Sequence, residues 1–228
     1  SGREQSLSAV PVLSEALSSA DAPSRLKAAA ALGRFGPKAA PSSRALLEAL
    51  GRALKARALV LIVACRQALE KLGAAGVSAC AEGLKDSDSS VRAAAAWTLH
   101  SFGEAALGAR PALASALDDS EAMVRIKSAA ALVSLEPGHP GARKTLEESL
   151  ASAEAKIRLE AALTLSAMGL NLPEILPILA EAARESDDPL VRVNAGTALG
   201  AAGPQAAGAA PALTAAAADP RAEPLLRL

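Results

Sequence analysis

The chain has 228 residues with 24 basic and 24 acidic side chains, so its formal net charge is zero. A nucleic-acid-binding surface usually needs a surplus of Lys and Arg to displace counterions from phosphates, so this balance speaks against such a partner. Half of the residues are apolar but only 1% are aromatic, and the sequence has no apolar run of about 18 residues that would span a membrane. The composition therefore favours helices that pack closely through Ala.

An apolar residue followed by Arg, with Leu seven residues after the Arg, recurs down the chain. Its arginines are 33 to 35 residues apart from Arg92 to Arg227. A fixed period in the thirties is typical of a solenoid, in which each unit buries its apolar face against its neighbours. We expect one array over residues 1–228, with units at approximately 10–40, 41–76, 77–108, 109–141, 142–173 and 174–208 and a partial unit at 209–228.

Each unit begins with a predicted first helix that carries an apolar column, with a proline near its start where a missing N–H is tolerated. Turns rich in Asp and Ser follow, and their side chains can accept from the free N–H groups of the next helix. The first-helix column is Leu17, Leu54, Leu84, Leu117, Leu150, Ala183 and Ala217. The prolines are Pro11, Pro41, Pro111, Pro177 and Pro211.

The second helix of each unit carries apolar residues at offsets −1, +3, +7 and +10 from the Arg. These offsets fall on one stripe of a helix, which predicts a buried seam. A glycine column after this stripe predicts helix ends with a left-handed residue. The +7 column is Leu32, Leu69, Leu99, Leu132, Leu165 and Leu199, and the glycines are Gly36, Gly73, Gly103, Gly169 and Gly203.

The Arg column itself has two interpretations. It could be a ladder that binds anions, or it could be structural, with each Arg forming an ion pair between units and covering the seam with its aliphatic stem. An Asp of the approach turn, such as Asp86 or Asp119, lies six residues before Arg92 or Arg125. We favour the structural interpretation.

Pro111, then Asp119 eight residues on, then Val124-Arg125, resembles the HEAT-repeat pattern, especially the short bacterial HEAT-like repeats of the phycobilisome lyase type. The resemblance extends from about residue 10 to the end of the chain, but Ile62 takes the Arg position in the second unit and Ser152 replaces Asp in the fifth. It implies an all-α superhelix, a HEAT/armadillo-like solenoid of about six helix pairs plus a partial seventh. In this family the second helices line the concave side, and the usual role is to bind other macromolecules.

No set of residues in the sequence predicts catalysis. His100 and His139 have no Cys or carboxylate at ligand spacing. Cys65 and Cys80 have no neighbouring His or cationic cluster that would activate a thiol, so both are predicted to be core residues. We therefore expect a protein that is not an enzyme and has no metal site and no cofactor.

A partner is expected to bind the concave side, which offsets +2, +6 and +9 are predicted to face. Trp97, the single Trp, stands in a column of smaller residues, so it is either an internal space-filler or an exposed anchor for a partner. The predicted protein-binding residues are Lys27, Arg34, Lys71, Trp97, Thr98, Ser101 and Lys127.

The leading hypothesis is a cytoplasmic, bacterial scaffold or adaptor that is not an enzyme and binds another protein, with neither nucleic acid nor membrane as a partner. The resemblance alone suggests an alternative, a subunit of a bilin lyase-like chromophore-handling complex. The partial last repeat lacks a polar cap. We therefore expect either that the natural polypeptide continues or that this end docks on something, including a second copy of the chain.

Overall fold

The computed structural model describes residues 2–170 and 173–209, and these residues form helices and connecting turns without a strand. The predicted all-α solenoid class is confirmed. The chain divides into two compact units, Ser1–Ala142 and Arg143–Leu228. The single array over residues 1–228 stays a prediction, and the partial last repeat lies outside the described residues from residue 210 onward.

The first unit consists of four helix pairs in chain order. Short 3-10 segments at Gly36–Ser42, Gly103–Ala109 and Ala116–Asp118 join or extend the helices. The helices are α1 Gly2–Ala16, α2 Ala22–Phe35, α3 Ser43–Lys55, α4 Leu59–Lys71, α5 Ala74–Gly83, α6 Ser89–Phe102, α7 Arg110–Ser115 and α8 Ala122–Leu135.

The second unit carries the fifth and sixth pairs, and the boundary between the two units falls within α9. A 3-10 segment, Gly203–Ala209, follows the last helix. The helices are α9 Pro140–Ser149, α10 Ala155–Ala167, α11 Ile175–Glu185 and α12 Pro189–Ala201.

The predicted seam is the core of both units. All six leucines of the +7 column are 0% exposed, and burial of each such side chain stabilises the fold by about 1.5–3 kcal/mol. Small residues let the second helices approach closely. A Cβ added to Gly33 of α2 would lie 3.2 Å from the Cα of Ala68 in α4.

The predicted glycine column ends the second helices as expected. Gly36 and Gly103 have φ of 55° and 53°, and each donates its N–H to the carbonyl three residues earlier. Only glycine adopts this backbone conformation readily. One proline departs from the prediction, because α1 starts earlier than expected and Pro11 lies inside the helix rather than near its start.

Candidate functional site

A hydrogen-bonded turn is repeated before five of the described second helices. The side chain of a Ser or Asp accepts from the backbone N–H two residues on. The Arg six residues after it donates Nη1 to the carbonyl of the same Ser or Asp. In α2, α6, α8 and α10 the Arg also donates to the next carbonyl, and the bonds in these four turns are 2.7 to 3.2 Å long. We call this arrangement the arginine turn. Its pairs are Ser19–Arg25, Asp86–Arg92, Asp119–Arg125, Ser152–Arg158 and Ser186–Arg192.

The arginine turn changes the interpretation of the Arg column. The recurring partners of each Arg are carbonyls of its own repeat. The main role of the Arg is therefore to stabilise its own turn rather than to link repeats. Arg92 also makes the expected ion pair between units, with Nε and Nη2 lying 2.7 and 2.9 Å from the Asp119 carboxylate. Both side chains are largely buried. Burial acts to raise the pKa of Asp119, but hydrogen bonds from Arg92 and the Glu121 N–H outweigh it and lower that pKa.

The turn between α3 and α4 has a different structure. Ile62 is buried at the position that Arg takes elsewhere. Arg57 adopts a positive φ of 51°, and Ala58 donates its N–H to the carbonyl of Ala53. No side chain caps the N-terminus of α4. The second repeat therefore starts its second helix without the arginine turn.

The solvent-exposed face of α4 begins with three aliphatic side chains, which we call the α4 patch: Leu59, Val60 and Val63. They are 65%, 67% and 45% exposed, and their spacing places them on one side of the helix. Periodicity could not identify them because residues 59–64 are all apolar, so the buried positions could not be told from the exposed ones. The run itself was a signal, since one stripe of a helix cannot bury six consecutive apolar residues.

Exposed cations lie along α2 and at the end of α4 opposite the α4 patch. Lys27 and Arg34 are exposed on α2, and Lys71 is exposed in the last turn of α4. The stem of Lys71 passes close to Gly33, since a Cβ there would lie 3.7 Å from Lys71 Cδ. Within the described part of the chain, neither Arg34 nor Lys71 has a carboxylate partner. The structure thus brings three of the predicted binding residues to one face.

Trp97 lies on α6 beside α4 and is partly exposed. The Arg66 guanidinium of α4 is 5.4 Å from the Trp97 ring centroid. Arg66 Nη1 also donates to Glu70 over 2.6 Å and to Ser101 over 3.0 Å. Trp97 is therefore neither a core residue nor a bare anchor, because a cation bridging two repeats covers part of its ring.

Two predicted binding residues are less exposed than expected. Thr98 is 0% exposed, and its hydroxyl donates to the Ala94 carbonyl over 2.7 Å. The +6 position lies on the buried side because neighbouring helices pack closely through Ala there. Lys127 is half-buried on α8 and contributes less to the exposed face.

Both thiols lie in the core. Cys65 and Cys80 are 0% exposed, and burial raises the pKa of each to about 12. A thiol with so high a pKa stays protonated and is a poor nucleophile near neutral pH.

A shallow groove of about 440 Å³ lies between α7 and α8 of the first unit. Arg110 and Glu136 at its edge form a solvent-exposed ion pair with an N–O distance of 3.4 Å. The side chain of His139 accepts from the Ala142 N–H and so stabilises the start of α9. The groove thus presents charges that already neutralise each other.

The recurring helix pairs and the repeated arginine turn define a helical-repeat protein. A family model described as HEAT repeats matches residues 77–166 and 144–227. The chain belongs to the HEAT-repeat family.

Three solved structures are similar to this chain at low identity. The CpcE and CpcF complex of phycocyanin lyase from Nostoc sp. PCC7120 is 21% identical, with 91% of this chain and 94% of that chain covered and a TM-score of 0.39. Human deoxyhypusine hydroxylase in complex with glycerol is 22% identical, with 96% and 93% covered and a TM-score of 0.37. An engineered protein is 21% identical, with 84% and 95% covered and a TM-score of 0.37. A search of the curated proteins finds no match.

Two further findings concern the described residues alone. None of their helices has both the length and the apolar character that crossing a bilayer requires. Among the same residues, no group of three or more His, Cys, Asp or Glu side chains is placed to hold a metal ion.

Proposed function

We propose that this protein is a scaffold that is not an enzyme and binds another protein through the solvent-exposed face of the second helices α2, α4 and α6. The single observation that carries the proposal is the α4 patch, where three aliphatic side chains face solvent beside cations and a partly exposed Trp. Exposed apolar groups rimmed by polar residues are typical of protein-binding sites.

The arrangement of the neighbouring residues supports this face over others. Lys27, Arg34 and Lys71 lie on the two helices that carry or flank the patch, and Trp97 lies on the third. Trp and Arg are the residue types that most often dominate binding energy when a partner covers them. The fold holds these side chains on rigid helices rather than loops.

Site-specific crosslinking tests the proposal. A photoreactive amino acid is placed at Gln67, which lies on the solvent-exposed face of α4 beyond the patch, and separately at Ser115, which is exposed at the end of α7. After irradiation in lysate of the source organism, mass spectrometry identifies the captured proteins. We expect a discrete protein product from position 67 and not from position 115. Equal capture at both positions, or none, overturns the proposal.

Several sequence-based predictions remain untested. The bilin lyase-like role rests on the resemblance alone, and the cytoplasmic location and bacterial origin stay predictions. The partial last repeat, which was predicted to allow self-association, lies outside the described residues from residue 210 onward.

A further inference from the structure

We infer that the α4 patch is the docking site for an acidic amphipathic helix of the partner protein. The inference rests on the proposed function and names the partner's chemistry. It combines the apolar groups of the patch with the sign of the charge around it.

Among the second helices of the first unit, only α4 has large aliphatic side chains at these positions that are exposed to solvent. The next second helix, α6, carries Ser89, Ser90 and Ala93 at the positions of Leu59, Val60 and Val63. Since α6 folds with these small and polar residues, the repeat does not require large aliphatic side chains there. Because these side chains are exposed, they add little to the free energy that folding gains from burying apolar surface.

The charged side chains along α2 and α4 are positive on balance. Lys27, Arg34 and Lys71 are exposed, whereas the nearby Arg66 is neutralised by Glu70 at 2.6 Å. The N-terminus of α4 adds positive potential beside Leu59, because no side chain caps it and the helix dipole points its positive end there. Charge complementarity therefore selects a partner with carboxylates.

The patch favours a helix over an extended strand. An added strand needs free backbone N–H and C=O groups along an edge, whereas most of the α4 backbone groups are paired within the helix. A helix satisfies its own backbone and presents apolar side chains at spacings i, i+3 and i+4, which fit a patch about one turn long. Flanking carboxylates on that helix would then reach the cations of α2 and α4.

Three synthetic peptides without Trp test the inference on the full chain. The first is a helical peptide with Leu at i, i+3, i+4 and i+7 and Glu elsewhere. The second replaces Glu with Lys, and the third replaces Leu with Ala. Binding is followed by peptide anisotropy and by emission from Trp97, the single Trp. We expect the first peptide to bind at least about tenfold more tightly than either of the others.

Matched variants locate the site. The triple variant L59S/V60S/V63A gives α4 the residues of α6 and should weaken binding of the acidic peptide about tenfold or more. The double variant R34E/K71E should do the same and should strengthen binding of the Lys peptide. Val12→Ser, at a 65% exposed aliphatic residue of α1, and Lys85→Glu are controls that should leave binding unchanged. Circular dichroism establishes that every variant is folded.

The outcomes separate the inference from the proposed function. If the Lys peptide binds as well as the Glu peptide, or the triple variant binds the acidic peptide normally, the inference is wrong. If position 67 crosslinks a specific protein but the acidic peptide does not bind, the inference falls and the proposed function stands. If position 67 captures nothing, the proposed function falls as well.

Discussion

At the scale of single residues, the ion pair between Arg92 and Asp119 is the best-defined contact between repeats. Asp119→Asn keeps the shape but removes the charge that two guanidinium nitrogens contact. We expect the free energy of unfolding to fall by about 2 kcal/mol at pH 7, since a hydrogen bond to a largely buried charge is lost. Thermal unfolding measures the change, and Asp118→Asn at the exposed neighbouring position is the control.

The same pair predicts a pH dependence. The pKa of Asp119 in the fold lies below its ordinary value of 3.8, so its stabilising contribution is fully present above that value and is lost as the pH falls through the lowered pKa. The difference in melting temperature between the natural chain and Asp119→Asn should thus be largest near neutral pH and shrink in acid. A difference that stays constant down to pH of about 2 contradicts this assignment.

Reactivity of the two thiols is a second prediction at this scale. Because burial raises the pKa of Cys65 and Cys80 to about 12, a thiol reagent at neutral pH should modify neither in the folded chain. The measurement is the coloured thiolate released from an aromatic disulfide reagent as it forms a mixed disulfide with the protein. The denatured chain is the control that should react at both positions. Rapid reaction of the native chain would show that the core opens.

Single residues also mark the limit of the sequence analysis. The columns located the buried leucines and the core thiols, because their helical spacing is fixed. The spacing could not show that Thr98 is buried, since that depends on how closely two neighbouring helices pack. Nor could it identify the carbonyls that Arg25 and its equivalents contact, because turn geometry is invisible in side-chain order.

At the scale of elements, the turn between α3 and α4 is strained, and it lacks the hydrogen bonds of the arginine turn. Arg57 has a φ of 51°, which costs an L-residue about 1 kcal/mol that glycine avoids. We expect Arg57→Gly to raise the free energy of unfolding by about 0.5–1 kcal/mol. Ala56→Gly is the control, since Ala56 has an ordinary φ of −82° and the same change there should destabilise.

The departure of the second repeat from the pattern could be seen in the sequence, because Ile62 takes the Arg position there. The structure of its turn could not be seen. The α4 patch was missed because the same apolar run supplies both the seam and the exposed face. Only the packing of α4 against its neighbours shows which residues are left outside.

At the scale of the whole molecule, stability in a repeat protein is a sum of units and their nearest-neighbour interfaces. Leu69 is 0% exposed, and Leu69→Ala should cost about 2–5 kcal/mol. Amide hydrogen exchange should show lost protection in α4 and in the helices that pack on it, with α11 in the other unit unchanged. Uniform loss of protection along the chain would contradict this local behaviour.

The residues of the α4 patch do not take part in the arginine turns and are not among the buried leucines. Mutations that alter recognition therefore need not pass through the positions that maintain folding, and the converse holds as well. A lineage could acquire new partners by drift at a few exposed codons, and a protein engineer could randomise the same positions in a library whose members all retain the parental backbone.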